Sequence, residues 1–209
     1  PAEPTQVGGF DTGDDTVLGD NGFAIFDTTT DQPLITEIRT TNPEIGDDDF
    51  IFTGQDGDDI VLAGAKDDWV DTGLEGDDIV FGDHGVALFN IEDTNEPAVE
   101  DSKVSVLTFA DSTDPSLGGN DVIIVCHGDD VVIAGVGDDL VNYVPVGAVA
   151  SDPVNNVNAN GGDPEPTQIC DDAVADDDIV IGDNGTAIFD TTTLVPLEIE
   201  VRSTDYNDG

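Results

Sequence analysis

Apolar residues come in triplets along much of this chain, and the triplets recur at a steady interval. In "GQDGDDIVLAGAKDDWVDTGLEGDDIVFGD", residues 54 to 83, Ile60-Val61-Leu62, Trp69-Val70 and Ile79-Val80-Phe81 each follow an Asp pair, at 58/59, 67/68 and 77/78. Runs this short, rich in β-branched residues and bounded by Gly and Asp, predict brief strands. A second pattern alternates. "LITEIRT" (34–40) and "LEIEVRS" (197–203) place apolar and polar residues in turn, as a strand with one buried face does. The prediction is an all-β fold built from two kinds of strand.

Two repeats are nested. The short one is nine residues: "VCHGDDVVI" (125–133) and "AGVGDDLVN" (134–142) lie back to back, and "AGAKDDWVD" (63–71) has Lys66 in the glycine position. "TGQDGDDIVL" (53–62) and "TGLEGDDIVF" (72–81) carry one extra residue, while "GDDTVL" (13–18) and "DDDIVI" (176–181) are partial copies. The long repeat contains the short one. "PTQVGGFDTGDDTVLGDNGFAIFDTTTDQPLITEIRTT" (4–41) returns as "PTQICDDAVADDDIVIGDNGTAIFDTTTLVPLEIEVRST" (166–204), with a degenerate third copy at 81–113. Each copy has Gly-Asp-Asn/His-Gly, a strand ending in Phe, a Pro-containing turn region and an alternating strand, which together predict a β-hairpin. Gly209 aligns with Gly46, so the expectation is one full period plus part of another, as in a segment of an array or a subunit completed by its neighbour.

Charge changes the picture. Against 38 Asp and 10 Glu stand only Arg39, Lys66, Lys103 and Arg202, for a formal net charge of −44. A disordered acidic tail would lack apolar residues, yet 37% of this chain is apolar, so it folds against its own repulsion. Two like charges 4 Å apart repel by about 1 kcal/mol in water and roughly fourfold more near a protein surface. Something cationic must offset that. The same charge excludes a nucleic-acid partner, because it repels phosphate. No apolar run approaches the roughly 20 residues of a membrane-spanning helix, so no membrane insertion is expected. The start, "PAEPTQVGG", does not read as a signal peptide and, with no initiator Met, reads as that of a processed chain or part of a longer one.

The short repeat resembles the calcium-binding nonapeptide of the RTX proteins, G-G-x-G-x-D-x-U-x, well over 46–82 and 118–142 and in part over 13–20 and 176–183. The resemblance implies a parallel β-roll whose turns alternate sides, with several Ca²⁺ ions held between turns on the same side by the sixth-position Asp and by backbone carbonyls. Carried onto this chain, the sixth position is Asp15, Asp49, Asp59, Asp68, Asp78, Asp121, Asp130, Asp139 and Asp178. Same-side partners would be Asp49/Asp68, Asp59/Asp78 and Asp121/Asp139. Gly57, Gly64, Gly76, Gly128 and Gly137 would turn the carbonyls inward. Calcium chemistry agrees: the ion takes six to eight oxygens, carbonyls included, in irregular geometry. Asp20, Asp83 and Asp183, in Gly-Asp-Asn/His-Gly, either add a last ligand or cap the turn. The segments that follow are a partial repeat at 1–45, rolls at 46–82 and 118–142, a hairpin repeat at 83–117, a loop insertion at 143–175 and the next repeat's start at 176–209. The resemblance thus implies short calcium-loaded rolls alternating with β-hairpins in a tandem array.

In the RTX pattern the eighth position points into the roll, and here it is Val17, Ile51, Val61, Val70, Val80, Ile123, Val132, Val141 and Val180. Positions seven and nine should face out, yet they include Phe50, Phe52, Ile60, Leu62, Trp69, Ile79, Phe81, Val122, Ile124, Val131 and Ile133. Strands apolar on both faces are buried on both. The hairpins, through Phe23, Ile25, Phe26, Leu34, Ile38, Leu88 and Phe89, or a second copy of the protein must supply the cover.

Candidate catalytic groups are few. His84 stands where Asn21 and Asn184 stand in the sister copies and reads as a turn residue. Cys126 and His127 are consecutive, and consecutive strand residues point to opposite faces, so no thiol–imidazole pair is expected. No G-x-S-x-G, H-E-x-x-H or C-x-x-C motif is present. Cys126 and Cys170, the only cysteines, are expected to form a disulfide. The expectation is a non-enzymatic, extracellular, calcium-dependent structural module that self-associates into a fibre, stalk or adhesin. Rival readings are an adhesive or ligand-binding module using the 143–168 loop, and the non-catalytic calcium-binding region of a secreted hydrolase.

Overall fold

The computed structural model describes residues 12–30, 32–94, 103–144, 167–168, 177–190 and 197–203. Among them the regular elements are all strands. The first seven are β1 (Thr16–Leu18), β2 (Gly22–Asp27), β3 (Leu34–Thr40), β4 (Phe50–Phe52), β5 (Ile60–Leu62), β6 (Trp69–Asp71) and β7 (Ile79–Phe81). After these come β8 (Gly85–Asp93), β9 (Lys103–Ser112), β10 (Val122–Ile124), β11 (Val131–Ile133) and β12 (Leu140–Val141). The last are β13 (Tyr143–Val144), β14 (Thr167–Gln168), β15 (Ile179–Ile181), β16 (Gly185–Asp190) and β17 (Leu197–Ser203).

The three-residue strands and the two-residue β12 form two parallel sheets, ordered β1-β5-β7-β11-β15 and β4-β6-β10-β12, and the chain visits them alternately. Register is unbroken: Val17 pairs Val61, Val61 pairs Val80, Val80 pairs Val132 and Val132 pairs Val180. Six eighth-position residues, Ile51, Val61, Val70, Val80, Ile123 and Val132, form a core between the sheets with Ala63, Val125 and Ala134; Val17 and Val141 pack against it partly buried, and Val180, expected to point inward, is exposed. Sequence divides the coil into rolls at 46–82 and 118–142. In the structure β6 pairs β10 and β7 pairs β11, so both segments share the same two sheets, and β1 and β15 extend the first. An insertion in a coil need not break it, because strands stack on any neighbour that presents the right edge.

The long strands pair antiparallel into a third sheet, β17-β16-β9-β8-β3-β2. It lies on the outer face of the five-stranded sheet. Ile60, Leu62, Ile79, Phe81, Val131, Ile133 and Ile181 pack there with Ile35, Ile38, Phe89, Leu107, Ala110 and Phe189. The hairpins thus cover this face, but of the residues expected to do so only Ile38 and Phe89 lie in the buried cluster, whereas Phe23, Ile25 and Phe26 are exposed. On the four-stranded sheet Trp69, Val122, Ile124 and Cys126 form a smaller buried cluster, whereas Phe50 and Phe52 are 41% and 47% exposed.

Candidate functional site

The turns between the two parallel sheets lie along two edges. The first edge carries the turns from the five-stranded to the four-stranded sheet (63–68 and 134–139) and the re-entry points after the hairpins (46–49 and 118–121). The second carries the return turns at 53–59, 72–78 and 125–130, with 13–15 and 177–178 leading into β1 and β15.

Sixth-position aspartates stack along each edge. On the first, the backbone N–H of Asp49 donates to Asp68 Oδ1 at 2.7 Å, that of Asp68 to Asp121 Oδ1 at 2.8 Å, and that of Asp121 to Asp139 Oδ1 at 2.9 Å. On the second, Asp15 donates to Asp59 (2.8 Å), Asp59 to Asp78 (2.9 Å), Asp78 to Asp130 (2.9 Å) and Asp130 to Asp178 (3.1 Å). The pairs 49/68, 59/78 and 121/139 are therefore neighbours. The same ladders also join Asp68 to Asp121 and Asp78 to Asp130 across the middle hairpin.

Fifth positions build a second ladder outside the first, and it runs the other way. Asp58 donates its N–H to Asp14 Oδ1 (3.1 Å), Asp77 to Asp58 (3.0 Å), Asp129 to Asp77 (3.0 Å) and Asp177 to Asp129 (3.1 Å). On the first edge Asn120 donates to Asp67 (2.8 Å), and Asp138 donates to Asn120 Oδ1 (2.9 Å). The inner carboxylate accepts from the preceding turn and the outer one from the following turn. This opposition is why the acids come in pairs. The nonapeptide pattern marks only the sixth position; the signal for the fifth is Asn120, which keeps an acceptor oxygen without the charge.

The second carboxylate oxygen distinguishes the edges. Asp49, Asp68, Asp121 and Asp139 each bury Oδ2 with no hydrogen-bond partner among the described residues, as does Asp130 on the second edge. Asp59 and Asp78 differ, because their Oδ2 atoms accept from the hydroxyls of Thr53 and Thr72. Burial pushes Asp68 and Asp121 up to about 9 and Asp130 up to about 8, against backbone hydrogen bonds that lower them; neighbouring carboxylates add to the rise. Burial likewise raises Asp139 to about 6 and raises Asp49.

Asp20 and Asp83 sit beside these ladders and cap turns. Asp20 Oδ2 accepts from the Ala65 N–H at 2.7 Å, and Asp83 accepts from the N–H groups of Gly119 and Val136. The charge of Asp20 raises Asp49 and Asp68, and that of Asp83 raises Asp121. Asp183 is exposed, and its charge acts on Asp139. A Cβ built at Gly19 would lie 2.6 Å from Asp49 Oδ2 and would strike the Ala63 carbonyl oxygen. One at Gly82 would strike Asp121 Oδ2 and the Ala134 carbonyl oxygen. At two equivalent places, then, a buried carboxylate oxygen and a backbone carbonyl converge beside a glycine. Among the described residues there is no group of three or more His, Cys, Asp or Glu side chains that could hold a metal ion.

Gly57, Gly64, Gly76, Gly128 and Gly137 all have φ between 122° and 148°. His84 is buried, donates Nε2–H to the Pro43 carbonyl at 3.1 Å, and is held below its usual pKa by burial. His127 bridges to Glu75, which bridges to Asp56, in a column on the second edge. No described cysteine is free, and Cys126 is disulfide-bonded; Cys170 lies outside the described residues, as does most of the 143–168 loop. No helix among the described residues is long and apolar enough to cross a membrane. No family model, curated protein or solved structure matches the chain.

Proposed function

We propose that this chain is a calcium-dependent structural module of a secreted or cell-surface protein, an RTX-like β-roll whose copies associate into a fibre, stalk or adhesin. The observation that carries the reading is the row of buried Oδ2 atoms on Asp49, Asp68, Asp121 and Asp139 that have no hydrogen-bond partner among the described residues. A buried carboxylate without a compensating partner costs several kcal/mol. Hard, closely placed oxygens suit a hard cation, and Ca²⁺ accepts carbonyls and irregular geometry. Asp49 and Asp68 with the Ala63 carbonyl, and Asp121 and Asp139 with the Ala134 carbonyl, are the groups that would hold it. Since fewer than three side chains converge, backbone oxygens would complete the shell. A bound Ca²⁺ supplies two positive charges to a region that otherwise holds like charges together.

The chain's own part is positioning. The inner ladder fixes one oxygen of Asp68, Asp121 and Asp139, and leaves their other oxygen, like Oδ2 of Asp49, buried without a hydrogen-bond partner among the described residues. Extracellular calcium modules commonly bind at about 10⁻⁴–10⁻³ M, so such a fold sets outside the cell. A Cys126–Cys170 disulfide fits the same oxidising setting. Exposed Ile45, Phe50, Phe52 and Leu74, with β4 the end strand of its sheet among the described residues, offer a surface for self-association. The reading assigns no catalytic role.

The test is a calcium titration of chelator-treated protein followed by far-UV circular dichroism, with electron microscopy of the native particle in calcium and in EGTA. Strand signal and filaments that both depend on calcium are expected. A chain that stays folded and monomeric whatever the calcium level would remove the reading.

A further inference from the structure

The threonines on the second edge mark a division that the nonapeptide pattern does not carry. Thr53 and Thr72 each follow a strand of the four-stranded sheet, and each donates its hydroxyl to Oδ2 of the sixth-position aspartate of the same turn, Asp59 and Asp78. Both threonines and both aspartates are buried. With Oδ1 accepting a backbone N–H, both oxygens of these two carboxylates are satisfied.

On the first edge the corresponding first residues of the repeat are Ala63 and Ala134, which have no side-chain donor. There Asp68 and Asp139 bury an Oδ2 that has no hydrogen-bond partner among the described residues, Asp68 being fully buried. The third return turn provides an internal comparison. Its repeat is one residue shorter and begins with Val125, one residue past Ile124 as Thr72 is past Asp71, so no hydroxyl stands there; the Oδ2 of Asp130, itself only 1% exposed, is again without a hydrogen-bond partner among the described residues. Where the hydroxyl is present the oxygen is satisfied, and where it is absent the oxygen is not. An O–H donor and a cation compete for the same lone pairs, and a site filled by the first has no place for the second.

We infer that Thr53 and Thr72 replace a divalent cation at Asp59 and Asp78, so that those two turns take none and cation uptake lies with the first edge and the Asp130 turn. This rests on the calcium reading above but departs from the equivalence of all sixth-position aspartates.

The experiment counts ions on the full chain by calcium calorimetry and by terbium luminescence, with Trp69, next in sequence to Asp68, as the sensitiser. Asp68→Asn with Asp121→Asn should lower the ion count or weaken binding by about tenfold or more. Asp59→Asn with Asp78→Asn should leave both count and affinity as in the wild type. Thr53→Val with Thr72→Val, which removes the hydroxyls at nearly constant volume, should raise the count. If that variant fails to fold in calcium by circular dichroism, the two asparagine pairs still decide. Equal losses from both asparagine pairs would overturn the inference while leaving calcium binding intact. A wild type that takes up no calcium would overturn the functional reading and this inference together.

Discussion

The backbone N–H of Asp68 lies 2.8 Å from Oδ1 of Asp121, 53 residues further along the chain. Between them the chain leaves the coil, builds the β8–β9 hairpin and returns in register. Spacing makes this possible. A hairpin adds two strands, about 9.6 Å of sheet at roughly 4.8 Å per strand, and two coils advance each parallel sheet by the same distance. Hairpins leave after β1, β7 and β15, every second strand of the five-stranded sheet. The covering sheet therefore grows in step with the coil beneath it. The long sequence repeat is the one-dimensional record of that match.

Buried acids make stability without cations fall as pH rises. An unfolded aspartate titrates near 3.9, while burial holds Asp68 and Asp121 near 9 and Asp130 near 8 in the fold. Below about pH 4 both states are protonated and the contribution to stability is complete. Above it the unfolded chain sheds protons that the folded chain keeps, so each group lowers stability by up to about 1.4 kcal/mol per pH unit until its folded value is reached. In EGTA the melting temperature should drop between about pH 5 and pH 8. Excess calcium should flatten or reverse that slope. Melting in EGTA that improves with pH over the same interval would contradict the burial of these groups.

The turn glycines are not interchangeable with alanine. Gly128 has φ of 147°, and a Cβ there would overlap the Gly76 carbonyl oxygen one turn below. Backbone strain alone costs of order 1–3 kcal/mol, and rigid backbone cannot yield to the overlap. Gly128→Ala should lose more than about 3 kcal/mol in chemical denaturation. Gly182→Ala, where a Cβ would have nothing within 4 Å, is the control and should change little.

Much of this was legible in the residues because the signals are local and repeated. The short strands follow from apolar triplets bounded by Gly and Asp, while the inward eighth position and the neighbouring Asp pairs 49/68, 59/78 and 121/139 come only with the resemblance to the RTX nonapeptide. What could not be read was long-range stacking. Nothing in Asp78 or Asp130 says that a hairpin between them leaves their turns adjacent, because that depends on strand spacing in three dimensions. The role of Thr53 and Thr72 was hidden for another reason. A Thr-Gly pair at the head of a repeat looks like turn chemistry until its hydroxyl is seen to reach a buried carboxylate.

Fifth-position acids should need their oxygen and not their charge. Asn120 already fills this place, accepting from the Asp138 N–H and donating its own N–H to Asp67. Asp77 is exposed, accepts from the Asp129 N–H and donates to Asp58. Asp77→Asn keeps the acceptor and relieves repulsion, so its stability should match or exceed the wild type. Asp77→Ala removes the acceptor and should cost about 1 kcal/mol. Equal loss from both substitutions in urea denaturation would mean that charge, and not the hydrogen bond, is what the position supplies.

The sharpest test of the covering sheet compares two phenylalanines at the same place in the repeat. Phe52 and Phe81 both occupy the ninth position, one on each parallel sheet. Phe81 is 1% exposed and packs in the core beneath the hairpins, whereas Phe52 is 47% exposed. Removing a buried phenylalanine loses its transfer free energy and leaves a cavity, about 3–5 kcal/mol. Phe52→Ala should cost less than about 1 kcal/mol, since its ring already meets water and a half-exposed side chain has little burial to lose. Both are to be measured by calcium-saturated chemical denaturation, where the ladders are identical and only the cover differs. A similar loss at both positions would mean that Phe52 is covered in solution, by a second copy of the chain, and the Phe52→Ala protein should then also sediment as a smaller species than the wild type.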